Sequence, residues 1–463
     1  MRRTKKLAAI GLSAVCATST VYAAFAATSV REAWNNAAST TDTGTELSDG
    51  STVYPNVYAD ATAWEEWKEE WETIRDNYTQ IALTPGTDET CLNAAWYSLT
   101  EQTPEIRIVD KDGNPTGISF TGTQTVENAV TVEEDGVSTT LYPNKVTVSG
   151  IEENTTYYYQ YLVDGEWSET YSYTSQSTDS FSVLYVGDPQ IGASTGQEAT
   201  EDNEFANSKE YYARNDAYNW NQTLLNAYAA FPNVSFILSA GDQINQTSVD
   251  EAIDNLEQQV EYSGFLYSSV LRSLPIATTI GNHDSKSVNY QNHFNNPNSY
   301  TEEVGASTAG NDYYFTYGNT LFVVINTNNY NCQTHADLIN EAIEANPDVT
   351  WKILMFHQDI YGSGYDHSDS DGMILRTQLT SIIDEAGFDA VLQGHDHTYS
   401  RTYQISAADG TYTAYDSSVD YASEEYQTQN ASCYNVISGI TDLTKVVNPT
   451  GTVYFEANSS SGS

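Results

Sequence analysis

Residues 234–245 read Val-Ser-Phe-Ile-Leu-Ser-Ala-Gly-Asp-Gln-Ile-Asn. A short apolar run leads through small residues to a single carboxylate, Asp242. A buried strand that delivers an acidic side chain at its C-terminal end has this pattern. Many strands of α/β proteins end in Gly-Asp, so this stretch alone is weak evidence for a functional site. The evidence becomes stronger because the same pattern recurs elsewhere in the chain.

Four other strand-like runs are each followed at once by Asp, Asn or His. Residues 181–186 precede Gly187-Asp188, residues 275–280 precede Gly281-Asn282-His283-Asp284, residues 351–356 precede His357, and residues 390–392 precede the segment Gly394-His395-Asp396-His397. A further buried strand is predicted at 320–325, and helices at 215–231, 248–272, 334–346 and 373–386. Strands that alternate with helices are typical of layered α/β domains.

The side chains at these strand ends form a metal-ligand inventory. Hard divalent ions that hydrolyse phosphate esters prefer carboxylate, amide and imidazole ligands. The chain has 7 histidines, and four of them stand in these motifs. The alternative is a set of capped strand ends and satisfied core histidines, which recurrence at five strand ends disfavours. We therefore predict a two-metal hydrolytic centre, bridged by Asp242 and built from Asp188, Asp242, Asn282, His357, His395 and His397.

The N-terminus has the pattern of a secretory signal. Residues 1–28 begin with four basic side chains, continue with apolar and small residues, and offer two small-residue cleavage sites. The run is too short and too polar for a good membrane span. Residues 29–79 are predicted to be a linker followed by a helix over 60–79. Its stripe of Trp64, Trp67 and Trp71 favours packing on the next domain, with a carbohydrate platform as the alternative.

Residues 80–178 have the pattern of a β-sandwich. Short alternating runs are separated by turn signals at 111–113, 134–136 and 163–165, and the segment has the usual size of about 100 residues. It resembles a fibronectin type III-like domain. We expect it to shield or orient the following domain, and surface glycan binding is the alternative.

Charge and cysteine content limit the partners. The 463-residue chain carries 18 Lys and Arg against 63 Asp and Glu, a net charge of −45. Such a surface repels nucleic acid and anionic membranes, so neither is expected as a partner. Cys91, Cys332 and Cys433 follow the signal region, and either Cys332 pairs with Cys433 or all three are buried as small hydrophobes.

The order of the motifs resembles that of the metallophosphoesterases, also called calcineurin-like phosphoesterases. With the preceding sandwich and the residues around Gly394-His395-Asp396-His397, the chain resembles a secreted bacterial relative of the purple acid phosphatases from about residue 80 to 463. The resemblance implies an α+β and α/β multidomain protein, with a β-sandwich before a layered αββα catalytic domain at 180–463. The final strand runs into an unfinished loop, so the natural chain is expected to continue.

The resemblance also implies the role of each ligand. Asp188, Asp242 and His397 would hold the first metal, and Asp242, Asn282, His357 and His395 the second. A metal-bound hydroxide would attack phosphorus in line. His283 would face the substrate as the acid or transition-state stabiliser, oriented by Asp284. His367 is the candidate substrate-side histidine. Arg401 and Arg214 are candidate phosphate-binding residues, with pairing to surplus carboxylates as the alternative.

Two departures from the family pattern concern the first metal. The purple enzymes carry a tyrosine three residues after the bridging aspartate, and here that position is Asn245. The wider superfamily often has a histidine two residues after the first aspartate, and here it is Gln190. Gln190, Asn245 or water would complete the coordination. Without phenolate, manganese, iron(II) or zinc is as plausible as iron(III), and the protein is expected to be colourless.

Three functions therefore remain open. The first is a secreted, acid phosphatase-like phosphomonoesterase that acts on a small substrate. The second is a phosphodiesterase or nucleotide hydrolase, because the same two-metal chemistry serves diesters. The third is a surface-binding protein whose metal centre has decayed. Oligomeric state is not encoded in any recognisable motif.

Overall fold

The computed structural model describes residues 45–46, 52–53, 61–194, 209–247, 252–364, 367–368, 371–408, 418–420, 423–426, 433–438 and 445–462. The predicted signal segment lies outside these residues, as does most of the predicted linker. Two short strands, β1 (Thr45–Glu46) and β2 (Thr52–Val53), pair with each other. Helix α1 (Ala61–Ile74) follows where the tryptophan stripe predicts a helix.

The N-terminal domain is a β-sandwich of two mainly antiparallel sheets. One sheet contains β3 (Ala82–Pro85), β4 (Cys91–Ser98), β7 (Thr123–Gln124), β8 (Val130–Glu134) and β9 (Val137–Ser149). The other contains β5 (Glu105–Val109), β6 (Pro115–Thr121), β10 (Thr156–Val163), β11 (Glu166–Trp167) and β12 (Tyr171–Thr174). Trp96 and Tyr161 face each other between the sheets, with ring centroids 5.3 Å apart. Alternating inward side chains thus form the sandwich core.

Two further sheets form the C-terminal domain. The first is wholly parallel and contains β13 (Val183–Val186), β14 (Phe236–Ser239) and β15 (Ile276–Thr278). The second has the order β16-β17-β18-β19-β23-β20, with four central parallel strands and two antiparallel edges. Its members are β16 (Tyr313–Tyr317), β17 (Thr320–Val324), β18 (Trp351–Met355), β19 (Ala390–Gln393), β20 (Ser400–Arg401) and β23 (Val453–Glu456). A small ribbon pairs β21 (Ile405–Ala407) with β22 (Tyr434–Val436).

Helices cover the outer face of each sheet. Helices α2 (Lys209–Ala230), α3 (Ala252–Leu266) and α4 (Asn289–His293) lie with the three-stranded sheet, and α5 (Cys332–Ala345) and α6 (Asp371–Ala386) with the six-stranded sheet. Phe236 and Leu238 point to the core between the sheets, whereas Ile237 points to the helices. Side chains alternate across a strand, so each central strand feeds two cores. The predicted αββα layering is confirmed.

Helix α1 packs on the C-terminal domain and not on the adjacent sandwich as its main partner. The indole nitrogen of Trp67 donates to the carbonyl of Arg214, 2.9 Å away. Its ring makes edge contacts with Tyr218 and Tyr267, with centroids 5.5 and 5.1 Å apart. Trp71 is fully buried. These rings belong to a protein core, which removes the surface needed for a carbohydrate platform.

The sandwich is joined to the C-terminal domain by specific polar contacts. Asn93 donates through Nδ2 to the carbonyl of Asn295, 2.8 Å away, and Asn295 Nδ2 donates to the carbonyl of Val146 at 3.1 Å. The Tyr159 hydroxyl donates to the carbonyl of Arg272, 2.8 Å away. These hydrogen bonds link the sandwich to loops of the C-terminal domain.

The cysteines and the helices settle two smaller points. Cys332 and Cys433 are buried and no disulfide joins them, whereas Cys91 is only partly buried, so the buried-hydrophobe alternative holds for Cys332 and Cys433 and in part for Cys91. Within the described residues, no helix is both long enough and apolar enough to cross a membrane.

Candidate metal centre

The ends of the parallel strands from both sheets meet at one edge of the domain. The loops after β13, β14 and β15 carry Asp188, Asp242 and Asn282, and those after β18 and β19 carry His357 and His395. Open α/β sheets bind ligands at this carboxyl edge. Because the strands end at the same level, side chains that are spread over more than 200 residues of the sequence lie close together at this edge.

Strained backbone is concentrated at this edge. Left-handed φ angles occur at Asp188 (46°), Gln190 (36°), Asp242 (49°), His395 (81°) and His397 (53°). This region of φ is costly for residues other than glycine and is common at functional sites. Gly281 shows a second constraint, since a Cβ there would lie 1.9 Å from Oδ1 of Asp242. The loops are shaped to aim polar side chains inward, at the expense of local conformational energy.

Four ligand atoms converge around His357. Its Nε2 lies 2.9 Å from Oδ1 of Asn282, 3.4 Å from Oδ2 of Asp242 and 3.1 Å from Nδ1 of His395. Its other ring nitrogen, Nδ1, lies 2.8 Å from the carbonyl oxygen of Ala240. An N–H at Nδ1 donates to that carbonyl and leaves the lone pair of Nε2 for a cation. These are the four residues that the family resemblance assigns to the second metal.

The expected first-metal ligands lie next to this set. Nε2 of His397 is 3.7 Å from Oδ1 of Asp188, and Nδ1 of His357 is 3.8 Å from the same oxygen. Asp188 is fully buried, and its carboxylate accepts the backbone N–H of His395 at 3.0 Å. Asp242 contacts the His357 cluster, with Oδ2 3.4 Å from Nε2 of His357, and its charge also acts on Asp188. The structure therefore groups all six predicted metal ligands at one edge.

Gln190 and Asn245 differ in what they can offer a metal ion. The Nε2 atom of Gln190 donates to Oδ1 of Asn245 at 3.3 Å and faces Nε2 of His283 at 3.0 Å. The Oε1 atom of Gln190 is buried without a hydrogen-bond partner. A buried orphan oxygen is costly unless a donor or cation satisfies it. Of the two amides, Gln190 is thus the one with an uncommitted oxygen.

The donor set suits divalent metal ions. Ligand atoms of Asp242, His357 and His395 lie within 4.8 Å of one another. Carboxylate, amide oxygen and imidazole donors fit manganese, iron(II) and zinc. The converging lone pairs of buried residues repel one another unless a cation lies between them. The residues present therefore fit a metal centre of the kind that the sequence predicts.

Burial raises the pKa of both Asp188 and Asp242, whereas the neighbouring imidazoles lower it. Burial raises the pKa of Asp188 to about 8, with His357 lowering it and the charge of Asp242 raising it. Burial also favours a raised pKa at Asp242, but the imidazoles of His357, His283 and His395 overcome it and hold that pKa well below its ordinary range. Of these two carboxylates, Asp242 is therefore the one that stays ionised to lower pH.

His283 lies beside the ligands without joining the four-atom cluster. Its backbone N–H donates to Oδ1 of Asp242 at 2.9 Å, and its ring Nδ1 lies 2.6 Å from the carbonyl oxygen of Asn245. The side chain is 25% exposed, so a substrate can reach it. This position suits a proton donor or a group that stabilises charge on the substrate.

The structure corrects the role expected of Asp284. Its Oδ2 accepts the backbone N–H of Gly281 at 2.9 Å and that of Gln243 at 3.3 Å. The carbonyl of Asn245, and not this carboxylate, holds the ring of His283. Asp284 is fully buried, and burial raises its pKa to about 7, with Asp242 adding to the effect. Through these two hydrogen bonds, Asp284 fixes the backbone of two ligand loops. Consecutive side chains on this turn point in different directions, so the carboxylate does not hold the ring of the neighbouring His283.

His367 and Asp371 extend the centre on one side. The ring of His367 contacts that of His395 at a tilt of 42°, with centroids 3.7 Å apart, and its Nδ1 lies 3.5 Å from Oδ1 of Asp371. The other carboxylate oxygen, Oδ2, lies 3.0 Å from Nε2 of His395. His367 is therefore at the rim of the centre, 42% exposed, where the sequence places a substrate-side histidine. Sequence reasoning missed Asp371, for which an acidic residue at the start of a helix was the only signal.

The two arginines lie in different environments. Arg214 is 5% exposed and sits over the rings of Trp64 and Tyr211, at 5.2 and 4.4 Å from their centroids. This aromatic setting on α2 contradicts its predicted phosphate-binding role, since the guanidinium is used in packing α1 and α2. Arg401 is exposed on the edge strand β20. It stays a candidate for contact with a substrate.

Family models match both domains. Residues 181–399 match the model described as "Calcineurin-like phosphoesterase", and residues 78–175 match "Purple acid Phosphatase, N-terminal domain". No curated protein is similar enough in sequence to count as a relative.

Two solved structures are similar to this chain. The purple acid phosphatase PPD1 from seeds of yellow lupin (Lupinus luteus) has 14% sequence identity and a TM-score of 0.51, over 83% of this chain and 65% of the lupin chain. A structure of PhoD has 11% identity and a TM-score of 0.48, over 84% of this chain and 78% of that one. This chain thus spans just under two thirds of the lupin protein, and the likeness is one of fold.

The fold and site are those of the metallophosphoesterase class of protein: a layered αββα domain with candidate metal ligands at the carboxyl edge of its sheets. The C-terminal domain belongs, over residues 181–399, to the calcineurin-like phosphoesterase family, and the sandwich matches, over residues 78–175, the N-terminal domain of purple acid phosphatases. The family resemblance that the motifs indicate is therefore confirmed.

Proposed function

We propose that this chain is a binuclear, metal-dependent phosphomonoesterase. The observation that carries the proposal is the convergence of Asp242 Oδ2, Asn282 Oδ1 and His395 Nδ1 on Nε2 of His357, at 3.4, 2.9 and 3.1 Å. Asp188 and His397 supply a second ligand group beside it. Manganese, iron or zinc fits these donors.

When bound, two such ions neutralise phosphate charge and lower the pKa of water at the centre. The residues of the chain supply the remaining functions. Asp242 stays ionised between the ligand groups, and the carbonyl of Asn245 orients His283 toward the open side. His367, at the rim, binds a phosphate oxygen or protonates the leaving group. The bound ions would place positive charge next to the substrate. This local charge explains how a chain with a net charge of −45 attracts a phosphate ester.

Metal analysis coupled to a substrate panel tests the proposal. The purified protein should hold two transition-metal equivalents and hydrolyse aryl and alkyl phosphomonoesters faster than bis-aryl phosphates. Asp242→Asn should lose most metal and reduce kcat by roughly 10³-fold or more, since it removes the bridge. Glu303→Gln, a change in a separate polar cluster, is the matched control. A preference for diesters would favour the phosphodiesterase alternative, and a protein without metal would favour the decayed surface-binding protein.

We further propose that the protein is exported, and is either secreted or held at the cell surface. The basic and apolar pattern of residues 1–28 supports this proposal, as does the strongly acidic composition, which keeps a secreted protein soluble. Mass spectrometry of the protein released by its native host should find an N-terminus close to residues 24–29. Retention of residues 1–28 on a cell-associated protein would contradict it.

A further inference from the structure

A group of three carboxylates lies behind the metal centre. Asp359 follows His357 by two residues, Asp396 stands between His395 and His397, and Glu456 ends β23. One carboxylate oxygen from each lies within 4.8 Å of the others. Asp359 and Glu456 are fully buried. We call Asp359, Asp396 and Glu456 the carboxylate triad.

Hydroxyl and amide groups surround the triad but leave one oxygen unmatched. Glu456 accepts from the hydroxyls of Thr398 at 2.6 Å and Ser400 at 2.7 Å. Asp396 accepts from the backbone N–H of His367 at 3.2 Å, and Asp359 accepts through Oδ2 from the hydroxyl of Ser368. Oδ1 of Asp359 is buried and has no hydrogen-bond partner. A fully buried carboxylate with an orphan oxygen requires a compensating group.

Basic side chains do not supply that group within the described residues. None of the ion pairs there joins Lys, Arg or His to a member of the triad. The buried Arg376 directs its guanidinium to the carbonyls of Ile360 and Ser368. By contrast, the comparable cluster of Glu303, Asp312 and His335 contains its own basic group, with His335 Nδ1 2.6 Å from Oδ2 of Asp312.

We propose that the carboxylate triad binds a third cation, a calcium ion, separate from the catalytic metals. All donors here are hard oxygens: three carboxylates and nearby hydroxyls, without nitrogen or sulfur. Calcium takes six to eight such oxygens in irregular arrangements, whereas Mg²⁺ demands near-octahedral geometry. The three carboxylates come from distant segments of the chain, so they are less readily arranged in the near-octahedral geometry that Mg²⁺ demands.

The site would tie the ligand loops together. Asp359 and Asp396 are neighbours of metal ligands in sequence, and Glu456 anchors them to the central strand β23. Gly364 brings the loop after β18 against Asp396, since a Cβ there would lie 2.2 Å from the Asp396 carboxyl carbon. A cation at the triad would therefore hold the loops of His357, His395 and His397 in register without contacting the substrate.

Calcium stoichiometry tests the proposal. The full chain, equilibrated with 1 mM CaCl2 and with Mn²⁺, is desalted and analysed by plasma mass spectrometry. We expect one calcium per chain beside the manganese. Asp359→Asn and Glu456→Gln should each lose that calcium, while Asp242→Asn loses manganese and keeps calcium. Glu303→Gln, the matched control from the cluster with its own imidazole, should keep both. Wild-type protein without calcium, or variants of the triad that retain it, would overturn the proposal.

A thermal measurement on the unaltered protein covers the case in which a variant does not fold. With Mn²⁺ saturating, 1 mM Ca²⁺ should raise the unfolding midpoint by about 5 °C over the same protein with a calcium chelator. Mg²⁺ at equal concentration should raise it less. If Asp359 and Asp396 instead share a proton, Asp359→Asn will be as stable as wild type and the wild-type midpoint will not respond to calcium, which overturns the proposal.

Discussion

Nε2 of His395 lies 3.0 Å from Oδ2 of Asp371, and its opposite ring nitrogen, Nδ1, lies 3.1 Å from Nε2 of His357. A carboxylate accepts an N–H and thereby leaves the lone pair of the other nitrogen for a cation. Histidine ligands of metals commonly have such a partner. Asp371, in the first turn of α6, therefore positions a predicted metal ligand that is 24 residues away in sequence.

Replacing Asp371 should weaken metal binding. Asp371→Asn removes the anionic acceptor for His395, so we expect the metal concentration for half-maximal activity to rise by roughly 10- to 100-fold. The measurement is phosphatase activity titrated with Mn²⁺, with kcat at saturating metal determined separately. Asp384→Asn, at the other end of the same helix, is the control. An unchanged titration for Asp371→Asn would show that His395 does not depend on this carboxylate.

His283 should act in turnover and not in metal retention. His283→Ala removes a side chain whose Nδ1 lies 2.6 Å from the carbonyl oxygen of Asn245, while the four-atom ligand cluster stays intact. We expect kcat to fall by about 10²- to 10⁴-fold, with a larger loss for alkyl than for aryl leaving groups. Metal content should equal that of the wild type.

Asp284→Asn is the companion variant for His283. Because Asp284 holds the backbone of Gly281 and Gln243, the substitution should lower stability or metal affinity. It should leave the dependence of kcat on the leaving group unchanged. Full turnover of His283→Ala on a saturating aryl phosphate would exclude its acid role.

The metal-replete protein should be colourless. Asn245 stands where the purple enzymes have tyrosine, its side-chain oxygen accepts from Gln190, and no phenolate is supplied at that position. The measurement is the visible absorption spectrum after loading with iron and oxidation. Asn245→Tyr provides the matched variant, in which a visible charge-transfer band should appear if the position faces the first metal. A band in the wild type would show another tyrosinate ligand.

His335 should make stability fall at alkaline pH. Its Nδ1 lies 2.6 Å from Oδ2 of Asp312 and its Nε2 lies 2.9 Å from the carbonyl oxygen of Asn329. Burial alone would lower the pKa of His335, but the charge of Asp312 overcomes it and raises the pKa to about 9. Because this lies above the ordinary value near 6.5, the contribution is full below about pH 6.5 and disappears as pH rises through about 9.

The test compares His335→Gln with the wild type in urea unfolding from pH 6 to 10. The variant should be less stable by about 3 kcal/mol at pH 6, and the difference should shrink toward pH 10. His293→Gln is the opposite case, because burial lowers the pKa of His293 to about 3, and its stabilising effect should instead be lost as pH falls below about 6.5. A His335 difference that is constant with pH would mean that the ring is neutral.

Much of the fold could be predicted because its signals are local. Helix α6 spans Asp371–Ala386 where periodicity predicts 373–386, and β14 spans Phe236–Ser239 within the apolar run at 234–239. Helix α2 begins six residues earlier than predicted, at Lys209. The domain against which α1 packs could not be predicted from the sequence either, because a tryptophan stripe shows that a helix face is buried without showing what covers it.

By itself, the sequence determined the order of the strand ends, indicated the family and predicted six candidate metal ligands, because each depends on a short run followed by one polar side chain. Only the tertiary structure decided how distant loops meet: Asp371 behind His395, Asn245 rather than Asp284 behind His283, Arg214 among aromatic rings, and a carboxylate triad behind the centre. The physical reason is that side-chain direction on a strained turn depends on the neighbouring loops, and those are brought together by sheet closure and not by spacing along the chain.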